Sequence, residues 1–143
     1  MMRYVLALDF GASSGRAMLA GFDGSRITLQ EVHRFANEPV SKDGRLYWNV
    51  PQLMEELEQG LQVGYAIAPY ESIAIDTWGV DYGMLGADGT LLELPRHYRD
   101  GRTDGILQKA EQLLPAAELY RRTGTQVMEI NTLFQLLCQR DSG

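Results

Sequence analysis

The sequence predicts an α/β fold: a mixed sheet with flanking helices. Three observations carry this. The chain opens with short apolar runs separated by turn residues, which suggests three meandering strands and so an antiparallel edge to the sheet. A stretch with helical apolar spacing follows. A further short apolar run, Ile73-Ala74-Ile75, then supplies another strand. At 143 residues and 45% hydrophobic content, the chain is long and apolar enough for one domain with a core.

The elements follow in order. Tyr4 to Leu8 is apolar and reads as a buried strand that ends at Asp9. Gly11-Ala12-Ser13-Ser14-Gly15 is a run of small residues, so the backbone turns sharply and its N–H groups can approach a ligand. Ala17 to Ala20 returns as a hairpin partner. Asp23-Gly24-Ser25 marks a turn, and Ile27 to Phe35 alternates as a half-exposed third strand, with His33 expected as a solvated surface residue. Pro39 to Gly44 reads as loop and Leu46-Tyr47-Trp48 as a short extended piece. Asn49 caps a helix with Pro51 in its first turn; Leu53, Met54, Leu57 and Leu61 face the core, Glu55, Glu56 and Glu58 face away, and the helix fades near Gly64 to Pro69. Ile73 to Ile75 is a buried strand that again ends at an aspartate, Asp76. Pro95 to Gly105 is a charged loop. Helices are expected over Ile106–Leu114 and Ala116–Arg122, with Gly124 as a stop, while Thr125 to Ile130 has no clear pattern. Asn131-Thr132 caps a last helix, Leu133 to Arg140, whose Leu133, Leu136 and Leu137 want a partner surface.

Composition narrows the function. A net charge of -6 argues against non-specific binding to nucleic acid or an anionic membrane. Cys138 is the single cysteine, so no internal disulfide forms, and its expected role is a small apolar residue on a helix. The start lacks a signal-peptide layout, and no apolar run approaches membrane-spanning length, so a soluble cytoplasmic chain is expected.

Two stretches carry chemistry. The turn after Asp9 has what a phosphate site needs: successive N–H groups, the Ser13 and Ser14 hydroxyls and the fixed positive charge of Arg16. Asp9 can hold a hydrated magnesium ion beside phosphate oxygens. Spacing alone leaves a plain hairpin with a small-residue turn equally open. There is no G-x-x-x-x-G-K-[ST] and no G-x-G-x-x-G leading into a helix, so neither a P-loop nor a dinucleotide-binding turn is present. The second stretch is Trp78-Gly79-Val80-Asp81. An indole can cover the apolar face of a sugar and a carboxylate can accept from its hydroxyls; a core Trp78 and a turn Asp81 are the competing reading.

Leu8-Asp9-Phe10-Gly11-Ala12-Ser13-Ser14-Gly15-Arg16 resembles the first phosphate loop of sugar kinases with an actin-like, hexokinase-like (ribonuclease H-like) fold. More narrowly, it is similar to the FGGY carbohydrate kinases, which include glycerol kinase, xylulokinase and rhamnulokinase. Ile75-Asp76-Thr77-Trp78-Gly79-Val80-Asp81-Tyr82 resembles the rhamnulokinase branch. So do His33-Arg34-Phe35, Tyr98-Arg99-Asp100-Gly101-Arg102-Thr103 and Asn131-Thr132-Leu133-Phe134-Gln135-Leu136. The resemblance covers residues 1–143 and implies the N-terminal portion of the first of two domains. It implies ATP- and Mg2+-dependent phosphorylation of L-rhamnulose at its 1-hydroxyl. Ala12, Ser13, Ser14, Gly15 and Arg16 would bind the nucleotide phosphates, and Asp9 the metal. Gly79, with Trp78 and Asp81, would line the ketose, and Asp100 and Arg102 would reach it. The family's base aspartate lies in a His-Asp-Thr segment that these residues do not contain, so the chain alone is expected to be inactive. Kinases of other ketoses (L-fuculose, L-xylulose), an actin-like nucleotide-binding protein without sugar chemistry, and a self-associating fragment are the alternatives.

Overall fold

The computed structural model describes residues 1–142, so Gly143, the end of the expected domain portion, lies outside the described residues. The chain falls into two compact units, Met1–Pro39 with Asn49–Gly79, and Val40–Trp48 with Val80–Gly143.

The first unit is a four-stranded sheet with one helix. Strands β1 (Arg3–Phe10), β2 (Ser14–Phe22) and β3 (Ile27–Ala36) form the expected antiparallel meander. The later strand Ser72–Thr77, designated β6 in chain order, pairs parallel to β1, giving the order β3-β2-β1-β6 and the expected mixed sheet. Alternation sets the faces. Leu6, Leu8 and Phe10 of β1 and Ala17 and Leu19 of β2 are buried on one side with Phe35. The register of β2 and β3 slips between Ala17 and Met18, leaving Val32 as the extra residue of a bulge.

Helix α1 (Val50–Ile67) starts at Asn49, whose side chain accepts from the Gln52 amide, with Pro51 in the first turn as expected. It lies over β3, β2 and β1. The helix continues through Gly64 because that glycine is where it meets the sheet: a Cβ there would stand 2.7 Å from Leu6 Cδ1. Glu56 does not face away. It meets His33 Nε2 at 2.5 Å, with the two side chains only 21% and 14% exposed, so His33 is a helix–sheet tie rather than a solvated residue. The expected burial of Ile73 and Ile75 also fails: they are 50% and 58% exposed, because β6 is the edge strand.

In the second unit, residues 40–42, expected as loop, form strand β4 (Val40–Lys42), which pairs in a hairpin with β5 (Arg45–Tyr47), where an extended piece was expected from Leu46. Its two-residue turn needs positive φ at both positions, and Asp43 (52°) and Gly44 (72°) supply it. Helices α2 (Ile106–Leu113), α3 (Ala116–Thr123) and α4 (Thr132–Ser142) follow, and Gly124 ends α3 in the left-handed conformation. The core holds Trp48, Ile106 and Phe134 together with buried polar groups: His97, Asp100, Thr103 and Gln135. Helix α4 therefore buries Phe134 and Gln135, and leaves Leu133 and Leu136 half exposed, in keeping with the expectation that these leucines want a partner surface. Among the described residues no helix is long and apolar enough to cross a membrane.

Candidate functional site

Asp9 and Arg16 face each other in the β1–β2 register, on the side of the sheet opposite Leu8 and Phe10. Arg16 donates from Nε to Asp9 Oδ2 at 2.9 Å, and its terminal nitrogen Nη2 forms an ion pair with the same oxygen at 2.9 Å. Both side chains are nearly half exposed, so the pair adds little stability; its effect is to fix the carboxylate and the guanidinium at the mouth of the turn. In the parallel β1–β6 register Asp76 stands directly beside Asp9. Two carboxylates thus end neighbouring parallel strands, the end at which open α/β sheets bind ligands.

The turn between β1 and β2 is held from below. Gly11 N–H donates to Ser14 O at 3.0 Å. The buried Asn37, just past β3, donates its backbone N–H to Ser13 O at 3.0 Å and its side-chain amide to Gly11 O at 2.9 Å. Gly15 sits on the Phe35 ring: a Cβ would lie 2.1 Å from Phe35 Cζ. Sequence reading missed Asn37 and Phe35 as shapers of the loop. Their signal is the pairing of Ser14 with Ala36, which exists only once the strands are aligned.

This donor set fits a nucleotide's terminal phosphates, with hydroxyls at Ser13 and Ser14 and a cation at Arg16. Among the described residues no group of three His, Cys, Asp or Glu side chains is placed to hold a metal. The chemistry of a single exposed carboxylate such as Asp9 is that of a ligand to a hydrated Mg2+, which keeps several waters and shares its remaining positions with phosphate oxygens.

The second stretch divides at Gly79. Trp78 is half buried and packs against the core cluster of the first unit. Gly79 has open space around its α-carbon. Val80 adopts φ 69°, a left-handed conformation that costs a β-branched residue about 1–3 kcal/mol. Its carbonyl accepts from Thr132 Oγ1 at 2.6 Å and from Gln135 Nε2 at 3.2 Å. Asp81 accepts on both oxygens, from Trp48 Nε1 at 2.6 Å and from Gln135 Nε2 at 3.0 Å. The sequence reading assigned Thr132 to a helix cap; its hydroxyl serves Val80 instead, and Asn131 donates to Gln126 O.

The loop over residues 95–105 is tied to the same group. Asp100 is 4% exposed and accepts from the Leu46 and Arg102 amides, at 2.8 and 3.1 Å. Arg102 donates to Gln135 Oε1 and lies over the Tyr82 ring. Gln135 therefore links Asp81 with Arg102. His97 stacks on Trp48 at 4.0 Å, and its Nδ1 accepts from the Arg99 amide at 3.0 Å, which leaves its proton on Nε2. Burial pushes this imidazole below its ordinary range. Trp48, Thr132 and Gln135 were not foreseen as site residues: Thr132 and Gln135 lie in a stretch that resembles the family without pointing to a role, and Trp48 lies in none of the stretches that carry the resemblance.

No family model matches the chain. It is 48% identical over 141 residues to the rhamnulokinase of Klebsiella pneumoniae (strain 342), covering 94% of this chain and 28% of that protein. It is 42% identical over 140 residues to the rhamnulokinase of Mannheimia succiniciproducens, covering 96% of this chain and 29% of that protein. The chain thus matches the N-terminal part of rhamnulokinases and spans under a third of the length of these relatives. Among solved structures it superposes on a ligand-bound xylulose kinase from Lactobacillus acidophilus with a TM-score of 0.79 at 17% identity, over 97% of this chain and 28% of that one. The gluconate kinase from the same organism gives 0.76 at 16% identity, over 99% of this chain and 29% of that one. The fold is that of the N-terminal part of sugar kinases with the actin-like architecture.

Proposed function

We propose that this chain carries the phosphate loop and part of the sugar site of an ATP-dependent ketose kinase. The reaction moves the γ-phosphoryl group of ATP to the 1-hydroxyl of L-rhamnulose and yields L-rhamnulose 1-phosphate. The observation that carries this reading is the 42–48% identity to rhamnulokinases across nearly the whole chain. The braced turn at Asp9–Arg16 supports it independently, because phosphoryl transfer asks the protein chiefly for positioning and charge neutralisation.

In this reading the amides of Ala12 to Gly15 and the Ser13 and Ser14 hydroxyls orient the phosphate oxygens, and Arg16 offsets their charge. Asp9 would hold Mg2+, which would supply charge neutralisation for the transferred phosphoryl group. Gly79, with Trp78 and Asp81, lines the ketose, and Arg102 with Asp100 shapes its polar rim. The proton of the attacking hydroxyl needs a base, which the resemblance assigns to a His-Asp-Thr segment absent from these residues. We therefore expect the 143 residues alone to turn over no substrate and, with apolar side chains such as Ile75 and Leu133 exposed, to self-associate. A single cysteine fits a cytoplasmic setting.

The test is a coupled assay with Mg-ATP and L-rhamnulose, L-fuculose or L-xylulose, on this chain and on the longest continuous reading frame containing it. Activity with L-rhamnulose only in the longer protein is expected. Preference for another ketose moves the substrate assignment, and no ketose activity in either protein overturns the kinase reading.

A further inference from the structure

We infer that Thr132 and Gln135 of α4 are positioning residues for the ketose: they hold Val80 in its left-handed conformation and so set the direction of Asp81. The inference rests on the reading of that segment as ketose-facing.

Val80 carries the argument. A β-branched residue leaves the left-handed region unless its surroundings hold it there, and such outliers gather where a segment must point in one direction. Two donors one helical turn apart converge on its carbonyl, the Thr132 hydroxyl at 2.6 Å and the Gln135 amide at 3.2 Å. Gln135 is fully buried, and its amide nitrogen also serves Asp81 at 3.0 Å and Ile130 O at 2.8 Å. Three acceptors share two hydrogens there, so the Thr132 hydroxyl is the one donor committed to Val80. The other end of the same amide accepts from Arg102. Val80, Asp81 and Arg102 thus take their positions from one face of α4. The next residue adds an independent sign of a ligand: the Tyr82 hydroxyl is buried without a hydrogen-bond partner among the described residues, an orphan that a ligand hydroxyl or a water can satisfy.

The test uses Thr132→Val, which keeps shape and removes the donor, and Thr132→Ser, which restores it. In the longest reading frame, T132V is expected to raise KM for the ketose about tenfold, with kcat and the KM for ATP within about twofold of wild type, and T132S to return the ketose KM to wild type. A merely structural role would lower thermal stability without this split between the two substrates. On the 143-residue chain, amide hydrogen exchange at Val80–Tyr82 is expected to rise about tenfold in T132V relative to the amides of β1, and not in T132S. Unchanged exchange in T132V overturns the inference. Faster exchange with a wild-type ketose KM also overturns it, and leaves the kinase reading intact. A wild-type frame that phosphorylates no ketose overturns the kinase reading and the inference with it.

Discussion

Gly15→Ala is the sharpest probe of how the phosphate turn is built. In an open strand, alanine is better than glycine by about 0.5–1 kcal/mol, because glycine loses more backbone freedom on folding. Here the added Cβ would stand 2.1 Å from Phe35 Cζ and 2.6 Å from both adjacent ring atoms. The ring cannot swing aside freely. Phe35 is 8% exposed, tilted against Phe10 at 5.6 Å and stacked on His33 at 5.8 Å. Overpacking of this kind costs about 1–3 kcal/mol, and this contact lies at the upper end of that range. The steric cost therefore wins, with a net loss of about 1.5–2 kcal/mol.

The cause can be separated from a general sensitivity of the turn. Phe35→Leu shortens the side chain and costs about 1 kcal/mol by itself. With the ring gone, G15A should be close to neutral, so the G15A/F35L pair should show a favourable coupling of about 1–2 kcal/mol. Urea unfolding of the four proteins, followed by tryptophan fluorescence, measures this. With a slope of about 1–3 kcal/mol per molar, the single G15A variant should lose about 0.5–2 M in its midpoint. Equal losses from G15A in both backgrounds, or a midpoint that rises in G15A alone, would refute the claim that Phe35 dictates glycine at this position.

Asn37→Ala should cost about 1–2 kcal/mol, since it leaves the Gly11 carbonyl without its buried donor, and should speed hydrogen exchange at residues 11–14; unchanged melting and exchange would show that the brace is idle. His97 should make the second unit acid-labile. Its folded pKa is depressed from 6.5 by burial, so the unfolded chain takes up more protons than the folded one as pH falls below about 6.5. Stability is then complete above that pH and declines below it, and a melting curve for H97Q that keeps the same decline would assign it to other groups. Cys138 has its thiol pushed up by burial and directed at Arg102 O at 3.2 Å, so at pH 7 it should react with iodoacetamide far more slowly than in the urea-unfolded chain. Equal rates in both states would contradict this.

What the sequence revealed followed from local period and from turn chemistry. The meander, the long helix started by Asn49 and the small-residue turn after Asp9 all write their geometry within a few neighbouring residues. What stayed hidden depends on partners far along the chain. Asp81 reads as a sugar contact or a turn residue until Trp48, 33 positions before it, and Gln135, 54 positions after it, are seen on its two oxygens. The last helix shows three leucines at helical spacing, yet the side it buries presents Phe134 and a glutamine. A buried amide that satisfies several polar groups looks, in sequence, like any surface glutamine. His33 and Glu56 mislead in the same way, since each is ordinary on its own element and only the packing of α1 on β3 makes them a pair.

Strand β6 shows how a correct local reading can still give the wrong burial, and it leads to a last prediction. Ile73 and Ile75 register with Leu6 and Leu8 of β1 and so share the core face of the sheet. Parallel strands of this composition are ordinarily covered on both faces, but α1 lies over β3, β2 and β1, and the two isoleucines remain 50% and 58% exposed. An edge strand with half-exposed isoleucines is a template for pairing with a second copy. Covering the exposed half of one isoleucine is worth about 1–1.5 kcal/mol, so four in a dimer give about 4–6 kcal/mol. That corresponds to dissociation constants of about 1 mM to 40 µM before the cost of association is counted. Association costs at least about 4 kcal/mol, so these figures are upper limits on affinity: the 143-residue chain should sediment as a monomer at about 10 µM and associate only at millimolar concentration or above, and Ile75→Lys should suppress that association. Association unchanged in I75K would move the contact elsewhere, with the exposed Leu133 and Leu136 of α4 next to be tested, while a chain that stays monomeric throughout would show that the bare edge is tolerated in solution.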